Sequence, residues 1–110
     1  MRNRVDEMPV VDMGDVKFSG HAIERALDMG VEGSEITDAL TKAEHAYWSR
    51  SHNAWCSKFG RVAVGFREDN DAAGKWIVLT VLWATEDDWE KDARRAPLTG
   101  GRVLKRGWES

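Results

Sequence analysis

The sequence predicts an α+β domain: two N-terminal helices packed on an antiparallel sheet of three or four strands, followed by a C-terminal helix and a basic tail. Three observations carry this reading. Two successive stretches in the first 45 residues repeat their apolar positions with a period near 3.6. After residue 45 the period falls to two, most clearly at Val62, Val64 and Phe66. Residues 75–83 are apolar on both faces, which marks a central strand.

The elements follow in order. Residues 1–15 alternate charge with isolated apolar side chains and contain Pro9 and Gly14, so they read as a flexible arm. Residues 16–18 suit a short first strand. Ser19 is positioned to cap a helix whose apolar stripe is Ala22, Ile23, Ala26 and Leu27. Gly30 ends it, because glycine takes the left-handed conformation at little steric cost. Ser34 is the expected cap of the second helix, with Ile36, Ala39, Leu40 and Ala43 on one side.

Strands are expected at 46–50, 55–59, 61–67 and 75–83, with a turn at "SRSHN" and a hairpin loop at "EDNDAAGK". In the third of these, Val62, Val64 and Phe66 share one face and Ala63, Gly65 and Arg67 the other. Thr85 opens a third helix, with Asp88 at the third helical position, and Pro97 stops it. One domain then spans residues 16–97, and residues 98–110 form a basic flexible tail.

The totals narrow the function classes. The chain has 110 residues, 42% of them hydrophobic and 32% charged, as in an ordinary globular domain. Its formal charge is −3, so the whole surface is not that of a nucleic-acid binder. The basic residues Arg94, Arg95, Arg102, Lys105 and Arg106 follow one another with no acid between them, a local segment able to meet phosphate. Cys56 is the only cysteine, which excludes an intramolecular disulfide and suits a reducing compartment. No apolar segment is long enough to span a bilayer, and no apolar stretch follows the early arginines as in a secretion signal. A cytoplasmic protein without membrane contact is the expectation.

The densest chemistry lies in "FSGHAIERALDMGV". His21 and Arg25 are one helical turn apart, on a face that also holds Asp28 and is not the apolar stripe. Such a line can be a solvated helix side. It can equally face the sheet edge and bind an anion, since imidazole shuttles protons near neutrality and guanidinium offers a fixed fork of donors to phosphate. Phosphodiester cleavage needs that pair of properties. The three histidines and Cys56 have no metal-ligand spacing, so no metal is expected. No phosphate loop, dinucleotide fingerprint or Gly-x-Ser-x-Gly elbow occurs, so no cofactor is expected either.

The stretch "SGHAIERALDMGVEGSEITDAL", with its His-Ala-x-x-Arg opening followed by Gly-Val, resembles the start of small RelE-like domains of the barnase–EndoU–colicin–RelE plan. "IVLTVLW" resembles a later Val-Thr-Val-like strand of those domains, so the likeness covers roughly residues 18–85. It implies two helices on a four-stranded antiparallel sheet. It also implies a metal-independent ribonuclease of toxin type, encoded by phage or in a toxin–antitoxin pair. Carried over by position, His21 is the proton-transfer residue, Arg25 a phosphate contact, and Thr80 a polar group beside the scissile phosphate. Lys58 and Arg61 are further candidates for phosphate contacts. The chain differs from RelE-like toxins in its acidic body, which lacks a basic run through the sheet.

Two other readings stand beside this one. A non-catalytic module on the same fold, such as a phage factor engaging a host protein, would use Trp48, Trp55 and Trp108 as anchors. The segment from Arg94 to Arg106 could bind nucleic acid, or an antitoxin if the protein is a toxin.

Overall fold

The computed structural model describes residues 3–90. Its regular elements are β1 (Val16–Phe18), α1 (Gly20–Met29), α2 (Gly33–Thr41), β2 (His45–Ser49), β3 (Ala54–Phe59), β4 (Val62–Glu68) and β5 (Trp76–Trp83). The fold is α+β. The strands form one five-stranded sheet in the order β1-β5-β4-β3-β2. This corrects the expected three or four antiparallel strands: β2 to β5 form an antiparallel meander, and β1 joins it parallel to β5, Val16 to Phe18 pairing with Trp76 to Val78. A three-residue strand that pairs 60 positions away leaves no period in the sequence from which its direction could be read.

The sheet is covered on both faces. On the front, Ala22 of α1 and Ile36, Ala39 and Leu40 of α2 pack on Val62, Val64, Phe66, Val78 and Val81. On the back, Tyr47, Ala54, Cys56, Ala63 and Leu82 lie under Trp89. This is the alternation expected for β4; β5, expected as central, has strands on both sides only at Trp76 to Val78, where β1 pairs, and among the described residues no strand lies along the rest of its outer edge. The register slips between Gly65 and Phe66, which pair with Thr80 and Val78, so Leu79 is the extra residue of a bulge.

The helices keep two of their expected boundaries. The Ser19 hydroxyl accepts from the Ala22 amide, and Gly30, at φ 68°, closes α1. The cap of α2 is Glu32 rather than Ser34. Its side chain accepts from the amide of Glu35, and the Glu35 carboxylate accepts from the Glu32 amide at 2.9 Å. The apolar stripe of α1 is also corrected. Ala22 is buried, but Ile23 and Leu27 are 49% and 75% exposed. The helix is rotated because its polar residues are needed at the edge of β5, as described below.

Residues 3–15, expected as a loose arm, lie against the body. The Arg4 amide donates to the Ala46 carbonyl at 2.6 Å, and the Asn3 side chain accepts from the Ala46 amide at 3.0 Å. Val11 is buried in the front core. After β5, residues 84–86 form a 3-10 turn and the chain becomes helical at Asp88. Asp87, not Thr85, caps that helix, accepting from the Glu90 amide at 3.1 Å. Pro97, the tail and Trp108 lie outside the described residues. No described helix is long and apolar enough to cross a membrane.

Candidate functional site

β1 covers the outer edge of β5 only as far as Val78, and from there α1 replaces it. The Ser19 amide donates to the Val78 carbonyl at 3.0 Å. The Ser19 hydroxyl, also the helix cap, donates to the Leu79 carbonyl at 3.0 Å. His21 Nε2 lies 3.1 Å from Thr80 Oγ1, and Arg25 Nε donates to the Val81 carbonyl at 3.1 Å. An uncovered strand edge leaves carbonyls without donors. Ser19 and Arg25 supply those donors, which fixes the rotation of α1 and turns Ile23 and Leu27 outward.

His21, Arg25 and Thr80 are therefore brought together. Thr80 is nearly buried, whereas His21 is exposed. The hydroxyl can donate to Nε2 or accept from it according to the imidazole tautomer. Among the described residues, no carboxylate pairs with His21 or Arg25, and neither Nδ1 of His21 nor the terminal amines of Arg25 have a hydrogen-bond partner. This leaves a titratable nitrogen and a fork of cationic donors on one rim of the sheet.

Lys58 and Arg61 are not brought to that rim. Arg61 reaches Glu35 through two hydrogen bonds, of 2.7 and 3.0 Å, and its guanidinium lies 5.2 Å above the Trp83 ring. Hydrogen bonding from Arg61, helped by the Glu32 amide, holds the Glu35 carboxyl at about 2. Lys58 lies on the back of the sheet, 2.9 Å from Glu90 and 3.3 Å from Asp87. Burial pulls its ammonium down, but the bonds and charges of Glu90 and Asp87 outweigh burial and leave it above its ordinary value.

That back-face cluster escaped the sequence reading. The Tyr47 hydroxyl donates to Asp87 Oδ2 at 2.5 Å, and Cys56 Sγ lies 3.5 Å from the same oxygen. Burial, then the neighbouring charges, push both the tyrosine and the thiol far above their ordinary values. Beside the cluster, the Trp89 indole sits over Gly65 and the His52 ring stacks on it at 3.9 Å, nearly parallel. His52 Nδ1 is 2.8 Å from the Ser49 hydroxyl. The period of two places Tyr47 and Cys56 on one face, but nothing local announces Asp87 as their common partner.

A cavity of about 390 Å³ lies between the N-terminal segment and the end of α2, lined by Met8, Val11, Leu40 and neighbours; none of its lining residues belongs to the His21 rim. Among the described residues, no group of three or more His, Cys, Asp or Glu is placed to hold a metal ion. Comparison of the chain with protein-family models, curated proteins and solved structures finds no match.

Proposed function

We propose that the protein is a small endoribonuclease acting at the rim formed by α1 and β5. The observation that carries this reading is the approach of His21 Nε2 to Thr80 Oγ1 at 3.1 Å, with the Arg25 guanidinium anchored one strand residue further on. The resemblance of the His-Ala-x-x-Arg opening to RelE-like domains supports it.

In the proposed reaction, His21 removes the proton of a ribose 2′-hydroxyl through Nδ1. The 2′ oxygen forms a bond to the adjacent phosphorus, the bond to the 5′ oxygen breaks, and the imidazolium returns its proton to that leaving oxygen. The products are a 2′,3′-cyclic phosphate and a free 5′-hydroxyl. Thr80 holds the imidazole through Nε2, and the terminal amines of Arg25 stabilise the charge that gathers on the pentacovalent phosphate. Lys58 and Arg61, each held by carboxylates, take no part in this scheme.

The test is induction of the wild type and of His21→Ala in a bacterial host, with growth and total RNA followed, and incubation of both purified proteins with labelled RNA. Wild type is expected to cleave RNA and leave cyclic phosphate ends, and His21→Ala is not. If neither protein affects growth or RNA, the enzyme reading is lost.

A second reading is a non-catalytic module that engages another protein. It is favoured by the neutralisation of Lys58 and Arg61 within the fold and by Ile23 and Leu27 standing exposed on α1. Recovery from host lysate of one stoichiometric protein, unaffected by nuclease, together with absence of RNA cleavage, would decide for it.

A further inference from the structure

Asp87 directly follows the 3-10 turn at residues 84–86 by which the chain leaves β5. It caps the helix that begins at Asp88, and its other carboxylate oxygen receives the Tyr47 hydroxyl and faces the Cys56 thiol and the Lys58 ammonium. Glu90 takes the same ammonium from one turn along. Between them, the Trp89 ring lies where Gly65 has no side chain. A Cβ built on Gly65 would collide with Cη2 of that ring, so the glycine is what admits it. The His52 ring stacks on the indole.

The two cores of the sheet share no residue. The front one holds both helices and the large aliphatic side chains of β4 and β5. The back one is lighter: Ala54, Cys56 and Ala63 are small, and among the described residues Trp89 is the one member of this cluster that does not belong to the sheet. Loss of residues 87–90 from the back face would leave the front core and every strand pairing in place. Opening of this kind falls between fraying and global unfolding.

We propose that residues 87–90 are a strap over the back of the sheet, clasped by Lys58 and seated by Trp89 on Gly65, which opens as a unit while the front core stays folded. Its opening uncovers the row Tyr47, Cys56 and Gly65, which runs across β2, β3 and β4. Thr80 is the register partner of Gly65, so the strap seats beside the strand position that holds His21. The proposal does not depend on the catalytic reading.

The chain provides its own reporter. Cys56 is the only thiol, it is fully buried under the strap, and burial keeps it protonated while the strap is closed. The experiment is native-state labelling of Cys56 with a disulfide reagent near pH 8, alongside amide hydrogen exchange of α2 and of Val64 and Val81. In the wild type, the protection factor of Cys56 is expected to be at least tenfold below that of the front-core amides. In Gly65→Ala, where the added methyl must displace the ring, and in Trp89→Ala, labelling is expected to accelerate tenfold or more with front-core exchange unchanged. Equal protection of thiol and front core in the wild type would overturn the proposal. So would labelling that stays unchanged in both variants, or that rises by the same factor as front-core exchange.

Discussion

His21 and Thr80 lie 59 residues apart and meet at 3.1 Å, an exposed imidazole closing on a nearly buried hydroxyl. The bond ties α1 to β5 whether or not it also serves chemistry. Thr80→Val keeps the β-branched shape and removes the hydroxyl, and should cost about 1 kcal/mol, the ordinary net value of one hydrogen bond. His21→Ala should cost a similar amount. The double variant should cost less than the sum of the two by about 0.5–1.5 kcal/mol, because the second change removes a bond already broken. Urea denaturation of the four proteins measures this, and additivity within about 0.3 kcal/mol would mean that the two side chains do not interact in solution.

The element order and most strand positions were legible because they rest on local periods. Val62, Val64 and Phe66 alternate without interruption, and residues 76–83 are apolar on both faces apart from Thr80, so β4 and the position of β5 could be read directly, but not that β1 would flank β5 only at Trp76 to Val78. The burial of α1 was not legible. The apolar spacing favoured Ile23 and Leu27, but the helix answers to the free carbonyls of Leu79 and Val81, a demand set more than fifty residues later. The His21–Arg25 line was visible as a line, and its facing the sheet was one of two open readings. Lys58 and Arg61 read as candidate phosphate contacts in the sequence, since no local pattern shows that Glu35, Asp87 and Glu90 reach them.

Lys58 and Asp87 form a pair that is almost wholly withdrawn from water, with 14% and 2% of their side chains exposed. Removing one partner of such a pair strands the other charge, which typically costs about 3–5 kcal/mol. Lys58→Met should fall in that range. Tyr47→Phe removes one of several donors to the Asp87 carboxylate and should cost less, about 1–3 kcal/mol. Denaturant melts of the two variants provide the comparison. A Tyr47→Phe loss larger than that of Lys58→Met would show that the ammonium is not the principal partner of Asp87.

Gly30 and Gly33 flank the link between the helices and should respond in opposite directions. Gly30 has φ 68° and closes α1 in the left-handed region, so Gly30→Ala should destabilise by about 1 kcal/mol. Gly33 opens α2 with an ordinary backbone, and an added methyl there meets no atom within 4 Å. Gly33→Ala narrows the unfolded ensemble and should stabilise by about 0.4–1 kcal/mol. Thermal melts of the single variants test both signs, and a loss of Tm in Gly33→Ala would contradict the open space at that position.

Arg61 and Glu35 predict a defined acid response. The folded Glu35 carboxyl sits at about 2, below its ordinary 4.5, with the Arg61 hydrogen bonds as the main cause and the Glu32 amide as the second. Between those values the unfolded chain binds more protons than the folded one at this site. The contribution to stability is therefore complete above about pH 4.5 and is lost as the pH falls towards about 2. Arg61→Met removes the main cause and leaves the amide, so its curve of stability against pH should be shallower than wild type in that window without becoming flat. Because the pair is exposed, high salt should narrow the difference. Denaturation at a series of pH values from 5 to 2 compares the two slopes; parallel curves would show that Arg61 does not hold the carboxylate in solution.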